Sequence, residues 1–311
     1  MDLSLTLKGQ THDLPLKNPV LTASGTFGYG VEFATYGDLT ALGGMVAKGI
    51  SLQPRQGNPS PRIVETTSGM LNSVGLQNDG VESFCKEKLP LLPWRETAVI
   101  ANIYAASVEE FAALAARLDG EEGVAALEVN VSCPNVKAGG ALFGQDPDMA
   151  AAVTAAVRRA APHKHIMVKL SPNVTDITLL ARRVEEVGAD SISCINTLLG
   201  MAVNLQTRKP SLANVVGGLS GPAIKPVALR CVWQVARAVS IPVVGVGGIL
   251  TAEDALEFLL VGARAVQVGT GNFFRPDAAF ALAAELPAAC HRLGIENLEA
   301  FCGSLQLDDT F

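Results

Sequence analysis

The sequence predicts an α/β chain folded as one (β/α)8 TIM barrel over residues 1–311. Three observations carry this expectation. Eight short runs rich in Val, Ile, Leu and Ala, with Gly, Pro or Asn commonly at their flanks, recur along the chain, and longer stretches with helical spacing separate them. A chain of 311 residues with 49% hydrophobic content is large enough to bury such a barrel as one unit.

The eight runs fall at 20–23, 45–47, 99–103, 127–131, 166–170, 191–195, 243–246 and 265–268. Each reads as apolar on both faces, as expected for a parallel strand with barrel core on one side and a helix on the other. Helical patterns fall at 107–118, 148–161, 175–187, 222–239 and 251–260. In the first, Ser107 followed by Glu110 forms a capping-box signature ahead of Phe111 and Leu114. Residues 3–16 are expected to form a small N-terminal hairpin across the barrel bottom. The segment 50–98 is too long for a simple connection, rich in Pro, Asn, Ser and Gly, and carries a helical pattern at 81–89. It is expected to be an inserted loop at the C-terminal strand face, and long loops in compact domains are usually functional.

Charge narrows the function classes. A net charge of -6 and a pI of about 5.3 provide no field that would draw the chain to nucleic acid or to an anionic membrane. The first residues lack the basic start and unbroken apolar run of a signal peptide, and no later stretch has membrane-spanning length without polar residues, so a cytoplasmic location is expected. The six cysteines (Cys85, Cys133, Cys194, Cys231, Cys290 and Cys302) show no metal-site spacing. Five read as buried thiols. Cys133 differs, because it lies in the Gly-rich polar segment NVSCPNVKAGGALFGQDPD, which reads as a mobile lid after a buried strand.

In such barrels the active site forms at the C-terminal strand ends. There the sequence places Ser24, Lys48, Asn102, Asn130, Lys169 and Asn196, then Gly247-Gly248 and Gly269-Thr270. Taken singly, each has an ordinary reading: an Asn after a strand makes a turn, a lysine is a solvated charge, and glycines supply φ > 0. Cys133 could equally pack a strand end. Together, two lysines and three asparagines converging on one mouth suit an anionic ligand with amide-like edges. The glycine turns of the last two strands suit one phosphate. The run Gly245-Val246-Gly247 lacks the third glycine of a dinucleotide fingerprint.

Nine segments carry a family resemblance: PVLTASGTFGYG (19–30), VAKGIS (46–51), RIVETTSGMLNSVGLQNDG (62–80), LEVNVSCPNVKAGG (127–140), KLSPN (169–173), INT (195–197), GGLSG (217–221), VGVGGI (244–249) and VGTG (268–271). In this order they resemble the class 1 dihydroorotate dehydrogenases over nearly the whole chain. The Cys after NVS, where membrane-bound relatives carry Ser, and SGTFGYG near the start are similar to class 1B, the NAD-linked group. The resemblance implies oxidation of dihydroorotate to orotate, with a hydride passing from C6 to N5 of FMN and the C5 proton to Cys133 as base. It implies FMN contacts from Ser24, Lys48, Gly49, Asn102, Asn130, Lys169, Ile195, Gly221, Gly247, Gly248, Gly269 and Thr270. It implies orotate contacts from Lys48, Asn72, Ser73, Val74, Gly75, Leu76, Asn130, Asn196 and Thr197. It further implies an electron-transfer subunit carrying FAD and a [2Fe–2S] cluster, docked on a homodimer of this chain within a heterotetramer. The alternatives in neighbouring classes are a fumarate-linked class 1A enzyme, an FMN barrel that reduces uracil rings in tRNA, and a non-enzymatic FMN or pyrimidine sensor. The acidic net charge disfavours the tRNA reading.

Overall fold

The computed structural model describes residues 1–132 and 143–307. Among these residues, eight parallel strands close into a barrel in chain order: β1 Val20–Thr22, β2 Gly44–Val46, β3 Ala98–Ile103, β4 Ala126–Asn130, β5 His165–Leu170, β6 Ser191–Cys194, β7 Val243–Val246 and β8 Ala265–Val268. These are the eight expected runs, with no end shifted by more than one residue. Helices α1 Val108–Asp119, α2 Pro147–Ala160, α3 Ile177–Glu186, α4 Lys225–Ala236 and α5 Ala252–Leu260 occupy the expected crossovers. A further helix, α6 Ala278–Arg292, follows β8.

Short polar side chains set the helix starts by accepting from otherwise unpaired N–H groups. Asp146 accepts from Asp148 and Met149, Asp176 from Thr178, and Thr251 and Asp254 form a reciprocal capping box. Ser107 accepts from the Glu110 N–H, as its spacing predicts. The Glu110 carboxylate, however, reaches the N–H of Ala106 at 2.8 Å, so the expected box is only half formed.

Strand alternation sorts the barrel interior into layers. At the bottom, Leu21, Val46, Ile100, Ala126, Met167, Val244 and Ala265 form an apolar floor, and Leu7, Leu14 and Leu16 pack against it. Those leucines come from the hairpin Leu5–Leu7 with Leu14–Leu16, so the expected N-terminal hairpin does close the barrel bottom. Two residues further along the strands the interior is polar: Asn102, Glu128, Ser193 and Gln267 are all buried. The reading of each strand as apolar on both faces therefore fails for this layer, where the side chains bond one another instead of water.

The loops diverge most from expectation. Residues 50–98 contain the strands Ile63–Thr66 and Gly69–Asn72, which join Leu198–Met201 and Val216–Ser220 in a four-stranded antiparallel sheet. The helix expected at 81–89 is broken into one α turn, Gly80–Ser83, a π-helical stretch, Phe84–Lys88, and a 3-10 turn, Leu89–Leu91, whose Pro90 has no N–H to continue an α-helix.

The hairpin is clasped by a buried carboxylate. Asp190 accepts from the N–H groups of Thr11 at 2.7 Å and Ile166 at 2.9 Å, and from the Arg158 guanidinium at 2.5 Å. Beside it, His165 meets the His12 carbonyl and the Ser191 hydroxyl, each at 2.7 Å. A carbonyl only accepts, so Nδ1 carries the proton and Nε2 accepts from Ser191. Burial pushes the His165 pKa down, in keeping with that neutral form. Asp190→Ala removes the carboxylate that pairs with Arg158, leaving it only the Gly188 and Lys164 carbonyls, and takes away the acceptor for the Thr11 N–H of the hairpin. It is expected to lower folding stability by about 3–5 kcal/mol, read as a fall in the midpoint of chemical denaturation. An unchanged midpoint would show that the clasp contributes nothing.

Candidate active site

The C-terminal ends of all eight barrel strands open into one cavity, roofed by the strand Gly69–Asn72 and the segment after it. Around its wall stand Ser24 beyond β1, Lys48 and Gly49 beyond β2, Asn102 in β3, Asn130 at the end of β4 and Lys169 in β5. Ile195, Asn196 and Thr197 follow β6, Gly247 and Gly248 follow β7, and Gly269 and Thr270 follow β8. Asn72, Val74, Gly75, Leu76 and Gly221 line it as well. Thus nearly every residue singled out in the sequence reaches one space. Ser73 does not line it: it is fully buried, its N–H donates to the Arg62 carbonyl, and its own carbonyl accepts from Asn58. Cys133 lies outside the described residues. Its neighbour Ser132 is buried and donates from Oγ to the Lys169 carbonyl at 2.6 Å.

The floor of the cavity is organised by a residue the sequence reading missed. Glu128 is fully buried in the middle of β4. Its Oε1 accepts from Ser193 Oγ at 2.8 Å and Gln267 Nε2 at 2.7 Å; its Oε2 accepts from Asn102 Nδ2 at 2.6 Å and lies 3.6 Å from Lys169 Nζ. With Nδ2 turned inward, Asn102 keeps Oδ1 buried without a hydrogen-bond partner, and the side chain lines the cavity. A buried acceptor left open in this way is ready for a ligand N–H. The signal was present in the sequence: in the run ALEVN, period-two alternation puts Glu128 on the same face as Asn130.

Higher on the wall, Asn130 Oδ1 accepts from Ser132 N at 3.2 Å and Asn196 Nδ2 at 3.3 Å, which turns the Asn130 amide donors elsewhere. Asn196 Oδ1 in turn accepts from Thr197 N. Lys48 makes no ion pair among the described residues. Burial pushes its pKa down, and the nearby Arg62 guanidinium pushes it further. Arg62 was also missed by the sequence reading. Two neighbouring cations, one of them unpaired in the cavity, are an arrangement that suits an anion.

The glycine turns form a different wall. Gly221, Gly247 and Gly248 have φ of 94°, 133° and 76°, a region where side chains are strained. A Cβ on Gly247 would lie 2.8 Å from that of Ala228, and one on Gly248 would lie 2.9 Å from the Gly221 carbonyl oxygen. The main chain itself is therefore the surface here, as suits binding of a phosphate by backbone N–H groups. Thr270 Oγ1 donates to Ser220 Oγ at 2.8 Å. Lys225 is not a free cation for that wall, because Asp254 and Glu257 hold it at 2.6 and 2.9 Å.

Comparison with known proteins bears on this arrangement. The sequence profile of the family described as dihydroorotate dehydrogenase matches residues 6–289. A protein of Solidesulfovibrio magneticus named dihydroorotate dehydrogenase B (NAD(+)), catalytic subunit, is 64% identical over 307 residues, covering 99% of each chain. Proteins with the same name from Maridesulfovibrio salexigens and Citrifermentans bemidjiense are 62% and 54% identical, over 99% and 98% of this chain and 99% of their own length.

The depressed pKa of Lys48 has a direct readout. A larger share of neutral amine at a given pH makes Lys48 react with small acylating reagents at lower pH in the folded protein than in the denatured chain, where the burial is gone. Competitive labelling across a pH series, read by mass spectrometry, is expected to show this, and coincident Lys48 titrations in the folded and denatured protein would refute the burial argument.

Proposed function

The chain belongs to the dihydroorotate dehydrogenase family, and from that membership and the cavity we propose that it oxidises dihydroorotate to orotate with FMN, as the catalytic member of an NAD-linked pair. The observation that carries this reading is the donor and acceptor set lining the cavity. It combines an open buried acceptor at Asn102 Oδ1, an ammonium at Lys169, and an unpaired ammonium at Lys48.

These residues fit FMN. Asn102 Oδ1 suits the imide N–H of the flavin pyrimidine edge, and Lys169 suits the side of that edge where negative charge collects on reduction. Gly247, Gly248, Gly269 and Thr270 suit the phosphate, with Ser24, Gly49, Ile195 and Gly221 completing the wall. When bound, FMN supplies at N5 the acceptor for the hydride that leaves C6 of the substrate.

The remaining work falls to the chain's own side chains. Lys48 neutralises the substrate carboxylate, while Asn72, Asn130, Asn196 and Thr197 pair with its imide edge and set the ring flat. Cys133, next in sequence after Ser132, takes the proton from C5 as thiolate and becomes a thiol, so that the C5–C6 single bond becomes double. The name shared by the relatives, a catalytic subunit linked to NAD, supports a separate electron-transfer subunit. We assign to it the FAD and the [2Fe–2S] cluster, in a heterotetramer built on a dimer of this chain, in the cytoplasm.

The test is spectroscopic. Dihydroorotate added anaerobically to the FMN-loaded chain is expected to bleach the flavin. Cys133→Ala is expected to bind FMN and orotate but to bleach ~10²–10⁴-fold more slowly, the range for loss of a general base. Equal rates would remove Cys133 from its role, and no bleaching by the parent chain would overturn the function. Without its partner the FMN-loaded chain is expected to reduce dyes while forming little NADH. Efficient NAD reduction by the chain alone would refute the two-subunit reading and leave the dihydroorotate half-reaction standing.

A further inference from the structure

We propose that Glu128 is a positioning residue for the flavin, setting the donor and acceptor polarity of the cavity floor and moderating the positive charge of Lys169. The inference rests on the FMN reading above, and goes beyond it in naming a group that lines no part of the cavity.

The geometry is specific. Glu128 has no solvent exposure, and donors from three other strands converge on it: Asn102 from β3, Ser193 from β6 and Gln267 from β8. Lys169 from β5 approaches within 3.6 Å, with its side chain 6% exposed. Two consequences reach the cavity. First, Asn102 is obliged to turn its amide nitrogen to Glu128 and donate there, because a carboxylate offers only acceptors. The amide then shows its oxygen to the ligand, and a flavin imide finds an acceptor where an unconstrained amide could turn either end. Second, Lys169 meets the ligand with a carboxylate behind it. Its charge toward the cavity is partly compensated, so it supports negative charge on a reduced flavin less than a lone buried ammonium would.

Two roles that look alike in an activity assay separate in a potential. A merely structural residue, when changed, weakens oxidised and reduced flavin alike. A residue that acts through charge alters their ratio. In Glu128→Gln the compensating charge is gone, so reduced FMN is expected to gain on oxidised FMN by on the order of tenfold, a rise of ~30 mV for a two-electron couple. Binding of oxidised FMN is expected to weaken as well, because the new amide can present hydrogens to Asn102 and turn it over. Glu128→Asp keeps the charge and is expected to stay near the parent potential. Ser193→Ala keeps the carboxylate and removes one of its donors, so its potential is expected to fall; this gentler change gives a second reading should Glu128→Gln fail to fold.

The experiment is a midpoint-potential titration of FMN on the parent chain and the three variants, with oxidised-FMN dissociation constants measured alongside. Opposite shifts in Glu128→Gln and Ser193→Ala, with Glu128→Asp near the parent, would support the inference. Unshifted potentials in Glu128→Gln and Ser193→Ala would overturn it while the FMN reading stands. A parent chain that binds no FMN would overturn both.

Discussion

Glu128 is a carboxylate without access to water, and the upper half of the barrel is built around that constraint. Transferring such a group into a protein interior costs several kcal/mol unless it is fully satisfied. A hydrogen bond to a charged group contributes ~1.5–3 kcal/mol, so donors from Asn102, Ser193 and Gln267 together are of the size needed, with Lys169 adding attraction. No single strand could supply them. The closed barrel brings β3, β6 and β8 to one point on β4, and this convergence turns a costly charge into a fixed framework. Asn102 and Lys169 inherit their orientation from it.

The layers below and above make that arrangement possible. Underneath, the apolar floor and the leucines of the hairpin Leu5–Leu7 with Leu14–Leu16 seal the barrel. A carboxylate left partly hydrated would have weaker claims on its neighbours, because the strength of each bond depends on the low local dielectric. The Asp190 clasp that ties the hairpin down therefore supports the site from the opposite end of the molecule. Above, the polar wall is less crowded, and its asparagines bond one another through one end only.

Much of this was legible in the sequence, and the losses have physical causes. The eight strands were found because parallel barrel strands are short apolar runs between turn residues. The site was found because strand ends are where such runs give way to polar residues. Glu128 was missed because its neighbours Ala126, Leu127 and Val129 made the run look apolar; only the side of the strand on which it stands reveals it, and that shows in the shared face with Asn130. The four-stranded sheet was missed because its strands contain Gly69, Gly200, Gly217 and Gly218, and glycines weaken the pattern of a strand. At two of these positions glycine has a packing reason: a Cβ on Gly69 would lie 2.2 Å from the Ser220 carbonyl, and one on Gly217 2.7 Å from that of Asn72. The helix α6 escaped notice in part because Pro287 interrupts its pattern.

The two cavity lysines show how one residue type is given two chemistries by its surroundings. Lys169 stands on a strand, with a carboxylate behind it and little freedom to move. Its charge belongs to the framework and suits a cofactor that stays in place while its electron count changes. Lys48 stands just past a strand, unpaired, with Arg62 as its electrostatic neighbour and burial disfavouring its charged form. That arrangement is uncomfortable until an anion arrives, and the arriving anion relieves it. A ligand carboxylate therefore gains most at Lys48 and would gain little at Lys169, whose charge is already compensated. In a chain of net charge -6 this matters, because no general field attracts an anionic substrate. The attraction has to be local, and on the proposed reading it is centred on Lys48, beside the ring that gives up a proton and a hydride.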